Sequence, residues 1–294
     1  MSTAPPPVVP RVRSANLRQA YDLALAGAIG AVCGLYLYVE LVHAESVWLR
    51  DALAGVAIGG TIGFFLNAWG PSGDGAWLKL AREATWGALA GAIGGAVGLV
   101  VGEFVLGTFQ GGLVGRAVSW AILGLGIGAS QGLATRSGQR LRFGLIGGSI
   151  GGFAGGFLFE AMRKGMGDRY DLGQGIGIVL LGAGLGLSLA LVEQALRRAW
   201  VQVLRGRQEG RSYLLGGKTS ALGLDERAEV GLFGDPTVAR KHAEIVVNGR
   251  DYVLRSLAPA GRTKVNGEVV TKDRALLDGD RIELGQTLLL FRRR

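Results

Sequence analysis

Six apolar segments, each about as long as a membrane span, fill the first two thirds of this 294-residue chain. The hydrocarbon core of a bilayer is about 30 Å thick, so a helix crosses it with roughly 20 mostly apolar residues. This part of the sequence therefore predicts an all-α polytopic membrane bundle. The predicted spans run from about Leu23 to Val39, Ala52 to Trp69, Ala84 to Gly102, Ala117 to Ala134, Phe143 to Phe159 and Leu172 to Val192.

The six spans repeat one pattern three times. Odd-numbered spans share one small-residue motif and even-numbered spans share another, so the repeating unit is a two-helix hairpin. Self-similarity at a period of 57 to 65 residues predicts three parallel repeats around a pseudo-threefold axis. The odd-span motifs are Ala26 to Gly30, Ala90 to Gly94 and Gly147 to Gly151, and the even-span motifs are Ile58 to Gly63, Leu123 to Gly128 and Leu181 to Gly186.

Glycine is concentrated in these spans, with 40 of the 52 glycines lying before residue 206. In the third span they recur at spacings of three and four, which places them on one helical stripe. Stripes of small residues let helix backbones approach closely in lipid, so we expect a tightly packed bundle. The same faces offer a surface for homo-oligomerisation.

Positive charge is divided unevenly between the loops. With six spans, thirteen Lys and Arg residues fall on the side of the two termini and five on the other side. Because Lys and Arg in short loops are retained in the cytoplasm, we expect both termini to be cytoplasmic and the protein to lie in the inner (plasma) membrane. A composition rich in Gly, Ala, Leu and Arg favours a bacterial source.

Three glutamates stand at equivalent places in the odd-numbered spans: Glu40, Glu103 and Glu160. Ionisable groups at membrane depth are costly and usually functional, so a ring of these carboxylates would indicate a channel or transporter. Each glutamate also lies near the end of its apolar segment, where it needs no function, and both interpretations stay open. Other polar candidates are Gln110, Gln131 and Gln174.

The pattern changes after residue 194. Residues 195–211, ALRRAWVQVLRGRQEGR, predict a basic amphipathic helix on the inner membrane surface. From residue 212 onwards, short runs of period two alternate with turn residues, which predicts an all-β sandwich. We therefore expect four parts: a disordered Pro-rich tail at 1–20, a membrane domain at 21–194, a linker helix at 195–211 and the sandwich at 212–294.

Three motifs in the last part resemble the forkhead-associated (FHA) family. They are VARKHAEI from Val238, TKVNG from Thr263 and LDGDRIELG from Leu277, in the order and spacing of that family. The resemblance covers a little over a quarter of the chain. It implies an eleven-stranded sandwich whose apical loops, in family members, bind phosphothreonine peptides.

The side chains that contact phosphate in the family are replaced here. By resemblance, Arg, Ser and Asn would stand where this sequence has Leu224, Ala239 and Gly261. A phosphate reader needs a positioned cation and converging donors, so phosphothreonine binding and phosphate-independent protein binding both stay open, with the second favoured. The residues that the resemblance leaves for peptide binding are Arg240, Lys241, Arg262, Thr263 and Asn266.

The other motif residues have structural explanations. The resemblance implies that His242 braces the recognition loops by hydrogen bonds. The glycines suit turns with positive φ or close backbone approach. Two aspartates in one turn do not make a calcium loop, so we expect them to fix the last hairpin. This structural set comprises Gly223, His242, Gly267, Asp278, Gly279 and Asp280.

Several classes of function lack support in the sequence. Cys33 is the single cysteine, which excludes an internal disulfide and a cysteine-built zinc site. The net charge of +9 is spread out rather than gathered into a patch for nucleic acid. No nucleophile, base and acid stand at a catalytic spacing. We therefore expect no enzyme activity, no cofactor, no metal ion and no nucleic-acid partner.

The sequence thus predicts a membrane bundle of three hairpin repeats followed by an FHA-like sandwich. The expected function is a membrane-anchored signalling or scaffolding adaptor, with membrane lipid around the helices and a protein partner, phosphorylated or not, on the cytoplasmic loops. The alternative is a small channel or transporter that the FHA-like domain regulates.

Overall fold

Six long helices make up the first part of the chain. The computed structural model describes residues 12–72, 77–108, 113–135, 137–165, 170–249, 251–259, 261–271 and 273–294. The helices are α1 (Val12–Leu41), α2 (Val47–Ser72), α3 (Trp77–Thr108), α4 (Leu113–Thr135), α5 (Gly138–Gly165) and α6 (Tyr170–Leu196). Each contains a stretch long and apolar enough to cross a membrane, which confirms the six predicted apolar helices.

The first helix begins earlier than the sequence predicted. α1 starts at Val12, so the prediction of a disordered tail is wrong for residues 12–20. Residues 12–20 contain neither proline nor glycine, so nothing interrupts the helix that the first span propagates. The rest of the predicted tail, residues 1–11, lies outside the described residues.

The six helices form a closed ring. Each helix packs against the next one along the chain, and α6 packs against α1. α4 also packs against α2 and α6, which places the even-numbered helices toward the centre. Each odd-numbered helix lies on the outside between two even-numbered ones. Three hairpin repeats around a common axis would give this arrangement.

Glycines bring the helix backbones together at matching places between successive hairpins. A Cβ on any of these glycines would overlap backbone atoms of the opposite helix. The contacts pair Gly59 with Gly91, Gly124 with Gly148, and Gly182 with Gly27. Close approach of this kind gains the van der Waals contact that holds helices together in lipid.

The interior of the ring is apolar. Side chains at equivalent positions of the three even-numbered helices belong to one hydrophobic cluster, and each is 3% exposed or less. They are Ile58 and Ile62 from α2, Leu123 and Ile127 from α4, and Leu181 and Leu185 from α6. In the described part of the bundle, the centre is therefore filled mainly by packed hydrocarbon, with one buried hydrogen bond of 3.1 Å from Asn67 Nδ2 on α2 to Ser130 Oγ on α4.

Two mostly antiparallel β-sheets follow the helices and pack together as a sandwich. Their strands are β1 (Ala199–Arg205), β2 (Ser212–Leu214), β3 (Thr219–Gly223), β4 (Val230–Gly231), β5 (Ala243–Asn248), β6 (Asp251–Ser256), β7 (Thr263–Val265), β8 (Glu268–Val269), β9 (Arg274–Leu276), β10 (Arg281–Leu284) and β11 (Thr287–Arg293). One sheet has the order β2-β1-β11-β10-β7-β8 and the other β4-β3-β5-β6-β9. Apolar side chains of both sheets, including Phe291, Ile245 and Leu254, form one core.

The predicted amphipathic linker helix over residues 195–211 is wrong. α6 ends at Leu196, and Ala199–Arg205 is strand β1, whose first five residues are buried. β1 lies between β2 and β11 and pairs antiparallel with both. The run AWVQVLR contains β-branched and aromatic residues, which suit a strand. Its pairing with β2 and β11 decides that it forms a strand rather than a helix. The sandwich therefore begins at Ala199 rather than at residue 212.

The sandwich is fastened directly to the end of α6. β1 begins three residues after α6 ends. The guanidinium of the last residue, Arg294, donates a hydrogen bond to the carbonyl of Ala195 at 2.7 Å. The Arg197 guanidinium lies 3.9 Å from the centroid of the Trp200 ring. Because β1 then runs away from the helix, its far end lies about 20 Å from α6.

Candidate peptide-binding surface

Five loops meet at the end of the sandwich farthest from α6. These apical loops connect β1 to β2, β3 to β4, β4 to β5, β6 to β7, and β10 to β11. The Leu224 N–H donates to the Ala239 carbonyl at 3.1 Å, and the Gly285 N–H donates to the Arg262 carbonyl at 3.4 Å. These bonds hold four of the loops together. The FHA resemblance assigns peptide binding to this surface.

His242 joins two of the apical loops from inside the sandwich. The side chain is 0% exposed. Its Nδ1 accepts a hydrogen bond from the Ala239 N–H at 3.0 Å, so Nε2 carries the proton and donates to the Arg262 carbonyl at 3.2 Å. Burial lowers the pKa of His242 below its ordinary value, although the bond to the Arg262 carbonyl acts in the opposite direction. The geometry matches the bracing role that the resemblance implied.

Gly223 ends β3 where the chain meets the β4–β5 loop. A Cβ at this position would overlap the carbonyl of Arg240. The backbone N–H of Asp225, two residues after Gly223, donates a hydrogen bond to this same carbonyl at 2.9 Å. The glycine is therefore required for close backbone approach, and it seats the loop that carries Arg240 and Lys241.

The three positions that carry phosphate contacts in the FHA family offer no polar side chain here. Leu224 is half-buried and packs against the sandwich core. Ala239 contributes its backbone to the His242 brace. Gly261 is exposed with φ of 87°, a left-handed conformation that favours glycine. These three positions therefore offer only apolar side chains and backbone groups.

Three predicted binding residues are exposed on the apical loops. Arg240 and Lys241 lie on the β4–β5 loop, and Arg262 lies at the end of the β6–β7 loop. Within the described residues, none of these side chains forms an ion pair. The loops thus present three solvated cations beside the positions of Leu224, Ala239 and Gly261.

The other two predicted binding residues lie elsewhere. Thr263 is 1% exposed, and its hydroxyl shares a hydrogen bond with the Ser256 hydroxyl at 2.7 Å. Asn266 follows the far end of β7, beyond the residue that pairs with Ile282, so it lies away from Arg262. Its Nδ2 donates to Asp280 Oδ1 at 2.8 Å. The predicted contact between Asn266 and a peptide in the apical loops is therefore not supported by its position.

The predicted structural residues around Asn266 do form one turn network. Asp280 accepts from the Leu277 N–H at 2.8 Å, and Asp278 accepts from the Arg293 N–H at 2.9 Å. Gly267 and Gly279 have positive φ values of 85° and 91°. Both aspartates thus accept hydrogen bonds that fix the turn connecting β9 of one sheet to β10 of the other.

Asp235 is a residue that the sequence did not single out. Its carboxylate accepts hydrogen bonds from the Thr237 backbone and hydroxyl, the Gln286 N–H and the Thr287 hydroxyl. Burial raises the pKa of Asp235, but these hydrogen bonds outweigh it, and the pKa lies below the ordinary value. Asp235 therefore fastens the β4–β5 loop to the β10–β11 loop. Its partners lie some 50 positions later, so no local motif reveals the link.

The three repeat-related glutamates have different environments. Glu40 is exposed and Glu103 is half-buried. Glu160 is 1% exposed, and its Oε1 lies 3.4 Å from Lys164 Nζ. Their helices lie on the outside of the ring, so the three carboxylates do not surround a shared central cavity. Of the glutamine candidates, Gln131 is half-buried in α4, whereas Gln110 and the side chain of Gln174 lie outside the described residues.

Comparisons with known proteins all concern the sandwich. The family described as "Inner membrane component of T3SS, cytoplasmic domain" matches residues 202–294. An FHA domain solved in a study of phosphothreonine-dependent FHA interactions is 31% identical and covers 33% of this chain and 97% of that chain, with a TM-score of 0.30. The C-terminal region is an FHA domain.

Two further relatives match part of this chain. The FHA domain of a Chlamydia trachomatis protein is 27% identical over 33% of this chain and 98% of that chain, with a TM-score of 0.31. The oxoglutarate dehydrogenase inhibitor of Corynebacterium jeikeium is 34% identical over 93 residues, which are 32% of this chain and 63% of that protein. The chain thus spans less than two thirds of that relative. These matches cover the FHA domain and leave the six helices unassigned.

Proposed function

We propose that this protein is a membrane-anchored adaptor whose FHA domain binds a protein partner without requiring phosphothreonine. The observation that carries the proposal is the apical surface itself. The family's phosphate positions hold Leu224, Ala239 and Gly261, while the loops keep the hydrogen-bonded scaffold of the family. A surface that is held in shape but lacks its phosphate ligands suits recognition of an unmodified protein segment.

The attachment to α6 suits the FHA domain to this task. Its base is tied to the helix by Arg294, and the apical loops lie about 20 Å farther out. The excess of Lys and Arg on the side of the two termini supports a cytoplasmic location for this domain. The matching family, described as a cytoplasmic domain of an inner membrane component, supports this location and a bacterial inner membrane.

The packed bundle favours anchoring over conduction. Apolar side chains such as Ile62, Ile127 and Leu185 are 0% exposed at the centre of the ring. The glutamates on α1, α3 and α5 do not share a cavity. A conducting path through the described helices would require the even-numbered helices to separate.

Site-specific photo-crosslinking of the full-length chain in its native membrane tests the proposal. A photoreactive benzoylphenylalanine would replace Lys241 on the apical loops or, as a control, Glu268 at the other end of β7 and β8. We expect a discrete protein adduct from position 241 and none from position 268. Phosphatase treatment before irradiation should leave the adduct unchanged. An adduct that disappears after phosphatase treatment, or equal labelling from both positions, would refute the proposed function.

A further inference from the structure

A pocket opens on the apical surface beside the family's phosphate positions. It has a volume of about 450 Å³ and lies between three loops. Its walls come from the β1–β2, β4–β5 and β10–β11 loops, and none of Leu224, Ala239 and Gly261 lines it. The pocket is therefore distinct from the site that FHA relatives use for phosphothreonine. Its lining includes Arg205, Arg207, Gly234, Asp235, Gly285 and Gln286.

Two guanidinium groups stand at this pocket without an acidic partner. Both arginines are exposed, and neither forms an ion pair within the described residues. The Nε of Arg205 donates to the Gln286 carbonyl at 3.2 Å, which holds the arginine beside the β10–β11 loop. The side chain of Arg207 lies over Gly234. Guanidinium groups bind carboxylates through paired, charge-assisted hydrogen bonds.

The one carboxylate in the pocket does not compete for these arginines. Both oxygens of Asp235 accept hydrogen bonds from the loops, namely from Thr237, Gln286 and Thr287. These bonds turn the carboxylate into the wall and keep two loops in a fixed relation. The pocket is thus formed before a ligand arrives, which lowers the entropy cost of binding.

Glycines let the loops around the pocket pack closely. Gly206, Gly234 and Gly285 come from three different loops and have positive φ values of 137°, 91° and 61°. Each contributes bare main chain to the lining. A Cβ at Gly234 would overlap the Arg207 side chain, and one at Gly285 would overlap Thr237, so these glycines allow the loops to come together around the pocket.

We propose that this pocket binds an acidic segment of a protein partner, with Arg205 and Arg207 holding its Asp or Glu carboxylates. This proposal rests on the proposed function, because it names the partner chemistry for the same apical surface. It moves the centre of recognition from the β3–β4 and β6–β7 loops to the pocket between the β1–β2 and β10–β11 loops. The ligand supplies the negative charge through its own carboxylates, and no phosphate is required.

The test uses the full-length protein in nanodiscs of uncharged phosphatidylcholine. Fluorescein-labelled hexaglutamate is titrated by anisotropy, with labelled hexaglutamine as the uncharged probe. We expect R205Q and R207Q each to weaken hexaglutamate binding about tenfold, since a hydrogen bond to a charged group contributes about that factor. R227Q removes the same charge from the β3–β4 loop and should bind like the unmodified protein. Thermal unfolding of each variant checks that the sandwich stays folded.

Other results would contradict the proposals. Absence of hexaglutamate binding, or equal weakening by R205Q, R207Q and R227Q, would overturn the pocket and leave the adaptor function to the crosslinking experiment. Weakening by R240Q alone would place recognition at the family's loops and would also overturn the pocket. Tighter binding of a phosphothreonine peptide than of its unphosphorylated form would refute the proposed function itself.

Discussion

A single buried imidazole connects two loops of the apical surface. His242 accepts a hydrogen bond from the β4–β5 loop and donates one to the β6–β7 loop, so both ring nitrogens are occupied. The ring has no remaining donor or acceptor for a ligand. At the scale of residues, we therefore expect recognition to depend on loops held by a structural histidine and on Arg205 and Arg207, rather than on the side chains that bind phosphate in relatives.

Replacement of His242 by Ala should destabilise the FHA domain by about 2 kcal/mol, because the Ala239 N–H and the Arg262 carbonyl would lose their buried partner. Hydrogen–deuterium exchange of the full-length protein would report this as faster exchange in β5 and in the β6–β7 loop. K241A, on the neighbouring exposed residue, should exchange like the unmodified protein. Equal protection in H242A and K241A would contradict the bracing role.

The same residue predicts a pH dependence. The ordinary pKa is 6.5, and the folded value is lower because of burial. Between these two values the unfolded chain binds a proton that the folded domain does not, so stability falls as the pH drops below about 6.5 and levels off below the folded pKa. Thermal unfolding at pH 7.5 and pH 5.5 should show this loss in the unmodified protein and a smaller loss in H242N. An equal loss in both proteins would assign the pH dependence to other groups.

The sequence predicted some of these residues and missed others for physical reasons. His242 and Gly223 lie in motifs whose local pattern carries their role. Asn266 stands only four positions after Arg262, yet β7 places a strand between them and turns Asn266 toward Asp280. Asp235 forms its bonds to Gln286 and Thr287 across the fold, and no spacing in the sequence records that contact.

At the scale of elements, β1 shows how a distant partner decides local structure. The run before residue 206 follows an apolar helix and contains several arginines, so it reads as a continued amphipathic helix. In the fold, Val201 pairs with Phe291 of β11, which lies ninety positions later. The six membrane helices were predictable because an apolar segment of sufficient length needs no distant partner to become a helix in lipid.

Val201→Asp tests the place of β1 in the sandwich. Val201 is 0% exposed, and an unpaired buried carboxylate there should destabilise the FHA domain by roughly 3 kcal/mol or more. Near-UV circular dichroism and thermal unfolding of the full-length protein would measure the loss. V269D places the same charge on an exposed strand position and should have little effect. Equal stability of the two variants would favour a linker outside the sandwich.

Gly91→Val tests the close contact between α2 and α3. The added side chain would overlap the backbone at Gly59, and overpacking of this kind costs about 1 to 3 kcal/mol. G107V provides a control in the same helix, because a Cβ at Gly107 meets no atom within 4 Å. Thermal aggregation in detergent should begin at a lower temperature for G91V only. G148V and G27V should behave like G91V, and indifference to all three would argue against equivalent packing in the three hairpins.

At the scale of the whole molecule, a closed helical ring carries an FHA domain that follows α6 after a short connection. The even-numbered helices fill the centre, and the odd-numbered helices, which carry the three glutamates, pack around them. The base of the FHA domain is bonded to α6, while its binding loops point away. This division suits the proposed roles of anchoring for the helices and recognition for the loops.

Reconstitution into liposomes separates anchoring from conduction. We expect proton and potassium flux through liposomes that contain the protein to equal that of protein-free liposomes, because packed side chains such as Leu123 and Leu181 close the centre. A flux well above this background that falls in E160Q would contradict the dry bundle. Measuring the same flux in E40Q and E103Q would then show whether the three glutamates act together.

The central claim is that the apical surface recognises protein without phosphate. The most direct measurement titrates the full-length protein in nanodiscs with degenerate phosphothreonine and unphosphorylated threonine peptide libraries at low and high salt. We expect the same affinity for both libraries, or binding to both that salt weakens equally, with no added loss in R240A or R262A. Phosphothreonine-dependent binding that survives high salt and disappears in R240A or R262A would contradict the account and establish a rebuilt phosphate pocket.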